Sequence, residues 1–317
     1  MRNRNTALIC GVTGQDGAYL SALLLDKGYD VWGTSRDAGR ASFANLESLG
    51  IAERIHCVSM LPEDFRSVLV VLQKVQPSEV YYLAGQSSVG LSFEQPAETI
   101  QSAVVGILNL LEACRMFDRS IRLYHAGSSE AFGDTQGLAA DETTSFHPRS
   151  PYAVAKASAC WLVNNYREAY DVFVCTGILF NHESPLRPPR FVTRKIISAA
   201  KRIAAGSEET LRLGRLDIAR DWGWAPEYVE AMWRMLQRDT PEDFIIATGR
   251  TYTLEQFVAK AFAHFDLDWR EFVEQDATLF RPTDIAISRA NPSKAARLLG
   301  WKAQYEMPDV VDMMLRG

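Results

Sequence analysis

Up to residue 180, short apolar runs alternate with longer stretches in which apolar residues recur every three or four positions. The short runs predict strands, and the longer stretches predict helices. The predicted strands lie at 6–11, 29–35, 54–60, 79–85, 120–128 and 172–180, and the predicted helices lie at 17–28, 67–75, 98–117 and 151–169. This alternation is typical of a parallel sheet with helices on both faces. The sequence therefore predicts an α/β fold with a doubly wound parallel sheet.

The pattern changes after residue 180. The segment NHESPLRPPR, at 181–190, is rich in proline and arginine and predicts a loop. Helical spacing returns at 191–206, 227–238, 253–265 and 291–301, and the apolar run DFIIATG, at 243–249, predicts a last strand that returns to the main sheet. We predict a main domain over 1–180 and, over 181–317, mainly a smaller C-terminal α/β lobe.

Charge and cysteine usage exclude several classes of partner. The net charge is −5 and the isoelectric point is near 5.7, which does not suit general binding of nucleic acid or anionic membranes. The five cysteines form no CxxC pair and the five histidines show no HExxH spacing, so we predict free thiols and no protein-bound metal. No stretch approaches the roughly 18 apolar residues of a membrane span, and no signal-peptide core is evident. The predicted location is cytoplasmic.

A glycine-rich turn, GVTGQDG, lies between the first predicted strand and the first predicted helix. Its glycines are Gly11, Gly14 and Gly17. Glycine permits a tight turn and a close approach of the backbone to a phosphate, and the N-terminus of the following helix attracts an anion. A glycine triplet in this position is typical of dinucleotide binding. The sequence therefore predicts a Rossmann-type domain that holds NAD or NADP.

The end of the second strand normally distinguishes these two cofactors. An acidic residue there binds the ribose hydroxyls of NAD, whereas an arginine accepts the 2′-phosphate of NADP. Here the sequence TSRDAGR offers both, because Arg36 favours NADP and Asp37 favours NAD. We predict NADP, with NAD as the alternative.

The stretch SPYAVAKAS places Tyr152 four residues ahead of Lys156, on the same helix face. Such spacing also occurs by chance in ordinary helices. An ammonium beside a phenol favours the phenolate, so we expect the pKa of Tyr152 to fall below its usual value of about 10. The segment HAGSSEAFG, at 125–133, follows a predicted strand at the edge where doubly wound folds bind ligands. It offers the Ser128 hydroxyl and the Glu130 carboxylate.

The glycine triplet, the serine at a strand end and YxxxK together resemble the extended short-chain dehydrogenase/reductase family, whose members mostly modify nucleotide sugars. Within that family, the chain resembles the GDP-mannose 4,6-dehydratases. The matching segments are GVTGQDGAYL, SFEQP, SPYAVAKA, NYREAY, GILFNHESP, FVTRK, RDWG, FRPTD and PSKAARLLGW, from residue 7 to residue 301. GILFNHESP and RDWG are far more specific than the triplet or YxxxK.

The resemblance implies dehydration of GDP-mannose to GDP-4-keto-6-deoxymannose by internal hydride transfer. Tyr152 would remove the C4 hydroxyl proton, and Ser128 would hydrogen-bond the same oxygen. Lys156 would favour the phenolate form of Tyr152. The C4 ketone makes the C5 proton acidic, so Glu130 is suited to abstract it and to protonate the leaving C6 hydroxyl. A reductase or 4-epimerase needs no such glutamate, so Glu130 is the discriminating residue. Nucleotide-sugar decarboxylases can also carry a glutamate here.

The resemblance also implies two sets of binding residues. The cofactor set is Gly11, Thr13, Gly14, Gln15, Asp16, Gly17, Arg36, Leu83, Ala84, Gln86, Ser87, Tyr152, Lys156, His182 and Arg187. The substrate set is Ser88, Ser128, Glu130, Asn181, Val192, Lys195, Arg220 and Arg281. The cations of the substrate set would hold the diphosphate and ribose of GDP, because a planar guanidinium binds phosphate at two points.

The chain departs from the family pattern mainly around the cofactor. The second of the family's paired arginines after strand two is Asp37 here, and its adenine-binding acid after strand three matches Leu61. Glu63 or Asp64 is the alternative for that role. The usual threonine of the catalytic strand is Ser128.

Two other functions stay open beside the dehydratase. One is an NADPH-dependent reductase or 4-epimerase of a nucleotide 4-keto-6-deoxy sugar, and the other is a nucleotide-sugar-binding relative with little turnover. Family members associate through paired helices, which are 98–117 and 151–169 here. The predicted assembly is a homodimer, with a homotetramer as the alternative.

Overall fold

The computed structural model describes residues 5–317, so the first four residues of the predicted main domain lie outside the described range. Within residues 5–317, the main sheet has seven strands: β1 (Thr6–Cys10), β2 (Asp30–Ser35), β3 (His56–Ser59), β4 (Glu79–Tyr82), β5 (Arg122–Ser128), β7 (Val174–Leu179) and β12 (Phe244–Ile246). Their order is β12-β7-β5-β4-β1-β2-β3, and every pairing is parallel. The predicted doubly wound α/β class is confirmed.

Among the described residues, eight shorter strands form four two-stranded sheets. The parallel pairs are β6 (Ala139–Ala140) with β15 (Arg289–Ala290), β8 (Asn181–Glu183) with β11 (Trp222–Trp224), and β9 (Leu211–Leu213) with β14 (Val273–Gln275). The antiparallel pair is β10 (Ala219–Arg220) with β13 (Tyr252–Thr253). The sequence pattern did not predict these strands, because two or three residues carry no readable alternation, and β8 lies in the segment 181–190 that was predicted as a loop.

Twelve α-helices accompany the strands in the part of the chain that the structure describes. They are α1 (Gln15–Asp26), α2 (Ala44–Ser48), α3 (Phe65–Val75), α4 (Val89–Glu94), α5 (Pro96–Ile100), α6 (Gly106–Phe117), α7 (Pro151–Tyr170), α8 (Val192–Ala204), α9 (Ala225–Leu236), α10 (Leu254–Ala263), α11 (Ser293–Leu299) and α12 (Met307–Arg316). A π-helical turn, Gln101–Val105, links α5 to α6. The last helix, α12, is absent from the sequence prediction.

Alternate residues of the central strands enter two different cores, as the period of two in a strand requires. In β1, Ile9 packs into the core that contains residues of α1 and α9, whereas Leu8 packs into the core that contains residues of α3, α6 and α7. Both side chains are fully buried. The run TALIC of β1 is therefore apolar at nearly every position, because helices cover both faces of the sheet.

One helical run contradicts the expectation that no stretch approaches a membrane span. Pro96–Phe117 is long and apolar enough to cross a membrane by length and composition alone. In the fold, Ile107, Leu110 and Leu111 of this run are fully buried in the core beside the main sheet. Such packing is that of a core helix of a doubly wound domain.

The residues after 180 build a second core around α8, α10 and α12. Ile196, Phe257 and Val310 are fully buried there. The strand β12, from the predicted run 243–249, pairs with β7 and thus extends the main sheet. The chain therefore returns to the main domain at β12 after forming the first part of the lobe. This path places lobe residues beside the carboxyl ends of the main strands.

Candidate active site

The turn between β1 and α1 is shaped for close contact with a ligand. Gly11 has φ of +90°, and a Cβ there would lie 3.0 Å from the backbone of Ala84. A Cβ on Gly17 would lie 2.3 Å from the Gly11 carbonyl oxygen. Gly14 caps α1 with no side-chain hydrogen bond, so the first-turn N–H groups keep their capacity for an anion. The turn therefore fits the pyrophosphate of a dinucleotide.

The start of α1 interlocks with the segment after β7. His182 Nε2 lies 2.8 Å from Asp16 Oδ2, Gln15 donates to the His182 carbonyl at 3.2 Å, and Ser184 donates to Gln15 Oε1 at 2.7 Å. Burial disfavours both charges, but the attraction within the pair outweighs it. The pKa of His182 is raised and the pKa of Asp16 is lowered. The contact thus favours the imidazolium form of His182 and the carboxylate form of Asp16.

A second buried pair continues this network. Arg187 Nε lies 3.2 Å from Glu183 Oε2, and Thr193 donates to the same carboxylate at 2.8 Å. The Arg187 guanidinium also lies 3.8 Å from the ring centroid of Phe191. Burial raises the pKa of Glu183, and Arg187 opposes that rise. Arg187 is therefore fixed in place beside the pair of Asp16 and His182.

The predicted catalytic residues come together at the carboxyl end of β5. Ser128 ends that strand, and its hydroxyl accepts a hydrogen bond from the Glu130 N–H at 3.3 Å. Tyr152 lies in the first turn of α7, which begins at Pro151 behind the Ser150 cap. Lys156 follows one turn later and donates to the Ala126 carbonyl at 2.8 Å. The end of β5, the 3₁₀ turn Ser129–Phe132 that contains Glu130, and the start of α7 thus hold the four side chains.

The pKa of Tyr152 is shifted upwards, whereas the sequence analysis predicted a downward shift. Burial raises it to about 12, and the Ser128 hydrogen bond lowers it only in part. The Lys156 ammonium lies 5.8 Å from the Tyr152 ring centroid and is engaged by a backbone carbonyl. Burial also lowers the pKa of Lys156 to about 8. The expected depression of the Tyr152 pKa was therefore wrong, because loss of solvent outweighs the distant cation.

The predicted substrate cations lie in the lobe. Arg220 is buried and lies 3.2 Å from Asp284, and Arg281 lies 3.9 Å from the same carboxylate. Burial lowers the pKa of Arg220, whereas Glu130 and Asp284 oppose this change. Lys195 lies exposed on α8, one turn after Val192, and Asn181 begins β8. Arg220 of the lobe therefore lies close enough to Glu130 for the two charges to interact.

The remaining predicted residues follow β2 and β4. Leu83, Ala84, Gln86 and Ser87 come directly after β4, and Ser88 caps α4 by accepting from the Leu91 N–H at 3.3 Å. Thr13, in the glycine-rich turn, accepts from Asn45 at 2.9 Å. Arg36 follows β2 and forms an exposed ion pair with Glu98 at 3.7 Å.

Leu61, which matches the family's adenine-binding acid, is exposed after β3. Its N–H donates to the Ser67 hydroxyl at 3.0 Å. Sequence reasoning missed Asp284 and Glu98. Asp284 lay within the matched motif FRPTD, whereas no local signal marked Glu98.

The fold and the Ser128, Glu130, Tyr152 and Lys156 cluster define an extended short-chain dehydrogenase/reductase. The sequence profile of the GDP-mannose 4,6 dehydratase family matches residues 8–314, and the chain belongs to that family. GDP-mannose 4,6 dehydratase 1 of Arabidopsis thaliana is 43% identical over 327 residues, which cover 99% of this chain and 90% of the relative.

Two solved structures show the same fold at low identity. The dTDP-glucose 4,6-dehydratase DesIV of Streptomyces venezuelae, with NAD and TYD bound, has a TM-score of 0.87 at 21% identity and covers 98% of this chain and 96% of its own. RMD of Pseudomonas aeruginosa, in complex with NADPH, has a TM-score of 0.80 at 21% identity and covers 98% of both chains. These neighbours hold either nicotinamide dinucleotide, so they do not distinguish NAD from NADP.

Proposed function

We propose that the protein dehydrates GDP-mannose to GDP-4-keto-6-deoxymannose, with no net oxidation or reduction of its cofactor. The observation that carries this proposal is the presence of Glu130 beside Ser128 and Tyr152 at one strand end, in a chain of the GDP-mannose 4,6 dehydratase family. A reductase or 4-epimerase has no use for a carboxylate at that position.

The proposed cofactor is NADP, with NAD as the alternative. The glycine-rich turn and α1 would hold the pyrophosphate, and Arg36 would accept the 2′-phosphate. His182 and Arg187 would approach from the lobe side, where their ion pairs already fix them. When bound, the nicotinamide would supply the hydride acceptor for C4 of the sugar and the donor for C6. No other step of the proposed reaction requires oxidation or reduction of the cofactor.

Tyr152 would take the proton of the C4 hydroxyl, and Ser128 would hold the same oxygen by a hydrogen bond. The raised pKa makes the Tyr152 phenolate scarce but strongly basic. Lys156 would favour that phenolate while it stays protonated, which holds below its pKa of about 8. Tyr152 would then keep the proton until it is returned at C5. The Ser128 contact orients the phenol for both transfers.

Glu130 would carry the elimination. The C4 ketone makes the C5 proton acidic, and the carboxylate would remove it and pass it to the C6 hydroxyl, which leaves as water. Hydride return to C6 and proton return to C5 complete the product. Arg220 would hold the substrate diphosphate near Glu130, and Arg281, Lys195, Asn181, Val192 and Ser88 would line the remaining nucleotide-sugar site. Asp284 fixes the two arginines for that task.

The test is incubation of the purified protein with GDP-mannose and NADP, and in parallel with NAD, followed by mass spectrometry of the sugar nucleotide. We expect loss of one water and no accumulation of reduced cofactor. Glu130→Gln should form reduced cofactor without releasing dehydrated product, because oxidation at C4 precedes its step. Unchanged GDP-mannose with both cofactors would refute the proposal and favour a reductase or 4-epimerase, which turnover of a 4-keto-6-deoxy sugar with NADPH would reveal.

The proposed assembly is at least a homodimer through α6 and α7. Four large apolar side chains of these helices are exposed: Met116, Val154, Trp161 and Tyr170. An exposed apolar surface of this kind marks an interaction site. Light scattering of Trp161→Glu should then give a smaller particle than the unmodified protein. We also propose a cytoplasmic location, because the five cysteines are free and suit a reducing compartment.

A further inference from the structure

An ion pair crosses the sheet edge at which the dinucleotide is proposed to bind. In the sheet, β1 lies between β2 and β4. Arg36 follows β2, and Glu98 lies on α5, beyond β4. Their side chains meet at 3.7 Å. The pair therefore spans the carboxyl end of β1, where the glycine-rich turn begins and where doubly wound folds bind their ligands.

Two guanidinium groups after β2 each have a carboxylate partner. Arg36 pairs with Glu98, and the neighbouring Arg40 lies 3.9 Å from Asp37. An incoming phosphate would therefore meet two carboxylates together with two guanidinium groups. The positive potential that normally draws a 2′-phosphate to the end of β2 is cancelled locally. An uncharged 2′-hydroxyl would not experience this difference.

We propose that Glu98 sets the preference between NADP and NAD by competing with the 2′-phosphate for Arg36. This inference rests on the proposed dinucleotide site. NADP would have to displace the Glu98 carboxylate from Arg36 and tolerate its charge nearby, whereas NAD would leave the ion pair intact. Glu98 thus weakens NADP binding selectively. The side chains of Arg36 and Glu98 are 75% and 53% exposed, so solvent and salt limit the effect.

The test uses two half-ligands that differ only in the phosphate, 2′,5′-ADP and 5′-AMP, measured by calorimetry at low ionic strength. Glu98→Gln should tighten 2′,5′-ADP by about three- to fivefold and leave 5′-AMP unchanged, as expected for one exposed charge pair. Added salt should reduce the difference. In the Arg36→Ala background, Glu98→Gln should lose most of its selective effect.

Glu94→Gln is the matched control, because it removes an exposed carboxylate from the preceding helix, α4, with the same change of net charge. It should shift 2′,5′-ADP binding less than Glu98→Gln does. Equal shifts for Glu94→Gln and Glu98→Gln, or no shift in either, would overturn the role of Glu98 and leave the dinucleotide site intact. Failure of the unmodified protein to bind either half-ligand would overturn both.

Discussion

The candidate catalytic cluster lies around the end of a seven-residue strand, β5, and the start of a 20-residue helix, α7, whereas Arg36 and Glu98 are exposed side chains on the segment after β2 and on the five-residue helix α5. Burial therefore dominates the chemistry of the first region and raises the pKa of Tyr152 to about 12. In the second region, solvent screens each charge. The contrast teaches that the proposed reaction is fixed by rigid elements, while the preference for a cofactor rests on contacts that a single substitution changes.

The largest expected effect is a loss of the dehydration rate when the candidate catalytic cluster is changed. Tyr152→Phe removes the proposed proton acceptor and should lower kcat for dehydration by about 10²- to 10⁴-fold. The phenyl ring preserves the packing, so the unfolding temperature should change little. Steady-state kinetics with coupled product detection measures the rate.

Tyr124→Phe is the matched control, since Tyr124 is also fully buried and its hydroxyl has no hydrogen-bond partner within residues 5–317. It should keep most of the activity. A Tyr152→Phe enzyme that retained full rate would show that the phenol takes no part in the reaction, and the contrast between the two regions would lose its basis.

The next effect concerns the pair of Asp16 and His182, which joins the glycine-rich turn to the lobe. His182→Gln should destabilise the fold by about 2–3 kcal/mol near pH 6, because it leaves a carboxylate without its cation. The Asp16 side chain is 22% exposed, which keeps the expected loss below that of a fully buried pair.

The pH dependence of that loss has a definite sign. The folded pKa of His182 is raised above its usual 6.5, so the charge contributes stability below that value and loses it as pH rises through the folded pKa. The difference in unfolding free energy between the two proteins should therefore shrink from pH 6 towards alkaline pH. Urea unfolding at several pH values measures it. A difference that stays constant with pH would indicate that only the stacking of His182 on Tyr228 matters.

A smaller effect has the opposite sign. Burial lowers the pKa of Lys156 from 10.5 to about 8, so the folded chain holds this proton less tightly than the unfolded chain does. Stability should therefore rise with pH between these two values. Lys156→Met should stabilise the protein on the order of 1–2 kcal/mol at pH 7, since it removes a desolvated charge but also a hydrogen bond to Ala126. Dehydration should fall at the same time.

Thermal unfolding of this variant at pH 7 and pH 10 checks the prediction, and the gain should be smaller at pH 10. Asn165→Met, at an exposed position of the same helix, is the control for the added methionine. If Lys156→Met proved destabilising at both pH values, the ammonium would contribute more through its contact with Ala126 than its burial costs.

Local sequence predicted the main elements because their signals are local. The apolar runs of β1 and β7 and the helical spacing of α7 were located within about two residues. The spacing of four also placed Tyr152 and Lys156 correctly on one helix. The missed strands are too short to show a period. The α5–α6 run was predicted as one helix because the π-helical turn at Gln101–Val105 leaves the apolar pattern unbroken.

The contacts that shape the site arise from tertiary folding and could not be predicted from spacing. Asp16 and His182 are 166 positions apart, and Arg220 and Asp284 are 64 apart. The prediction that the pKa of Tyr152 is lowered failed for a related reason. The sequence identified the nearby cation but not the depth of burial, and burial proved the larger influence.

The smallest expected effect is that of removing the Arg36 guanidinium, and it is compared with removal of the Arg220 guanidinium beside Asp284 in the lobe. Arg36→Gln should change the free energy of unfolding by less than about 0.5 kcal/mol, because its ion pair with Glu98 is exposed. Arg220→Gln should cost about 2–3 kcal/mol, because it removes the nearer of the two guanidinium groups that face the largely buried Asp284. Parallel urea unfolding of both variants measures the ratio. Equal losses of unfolding free energy in the two variants would mean that the surroundings of Arg36 are as rigid as the lobe. A single substitution at the exposed pair of Arg36 and Glu98 would then change the cofactor preference less than proposed.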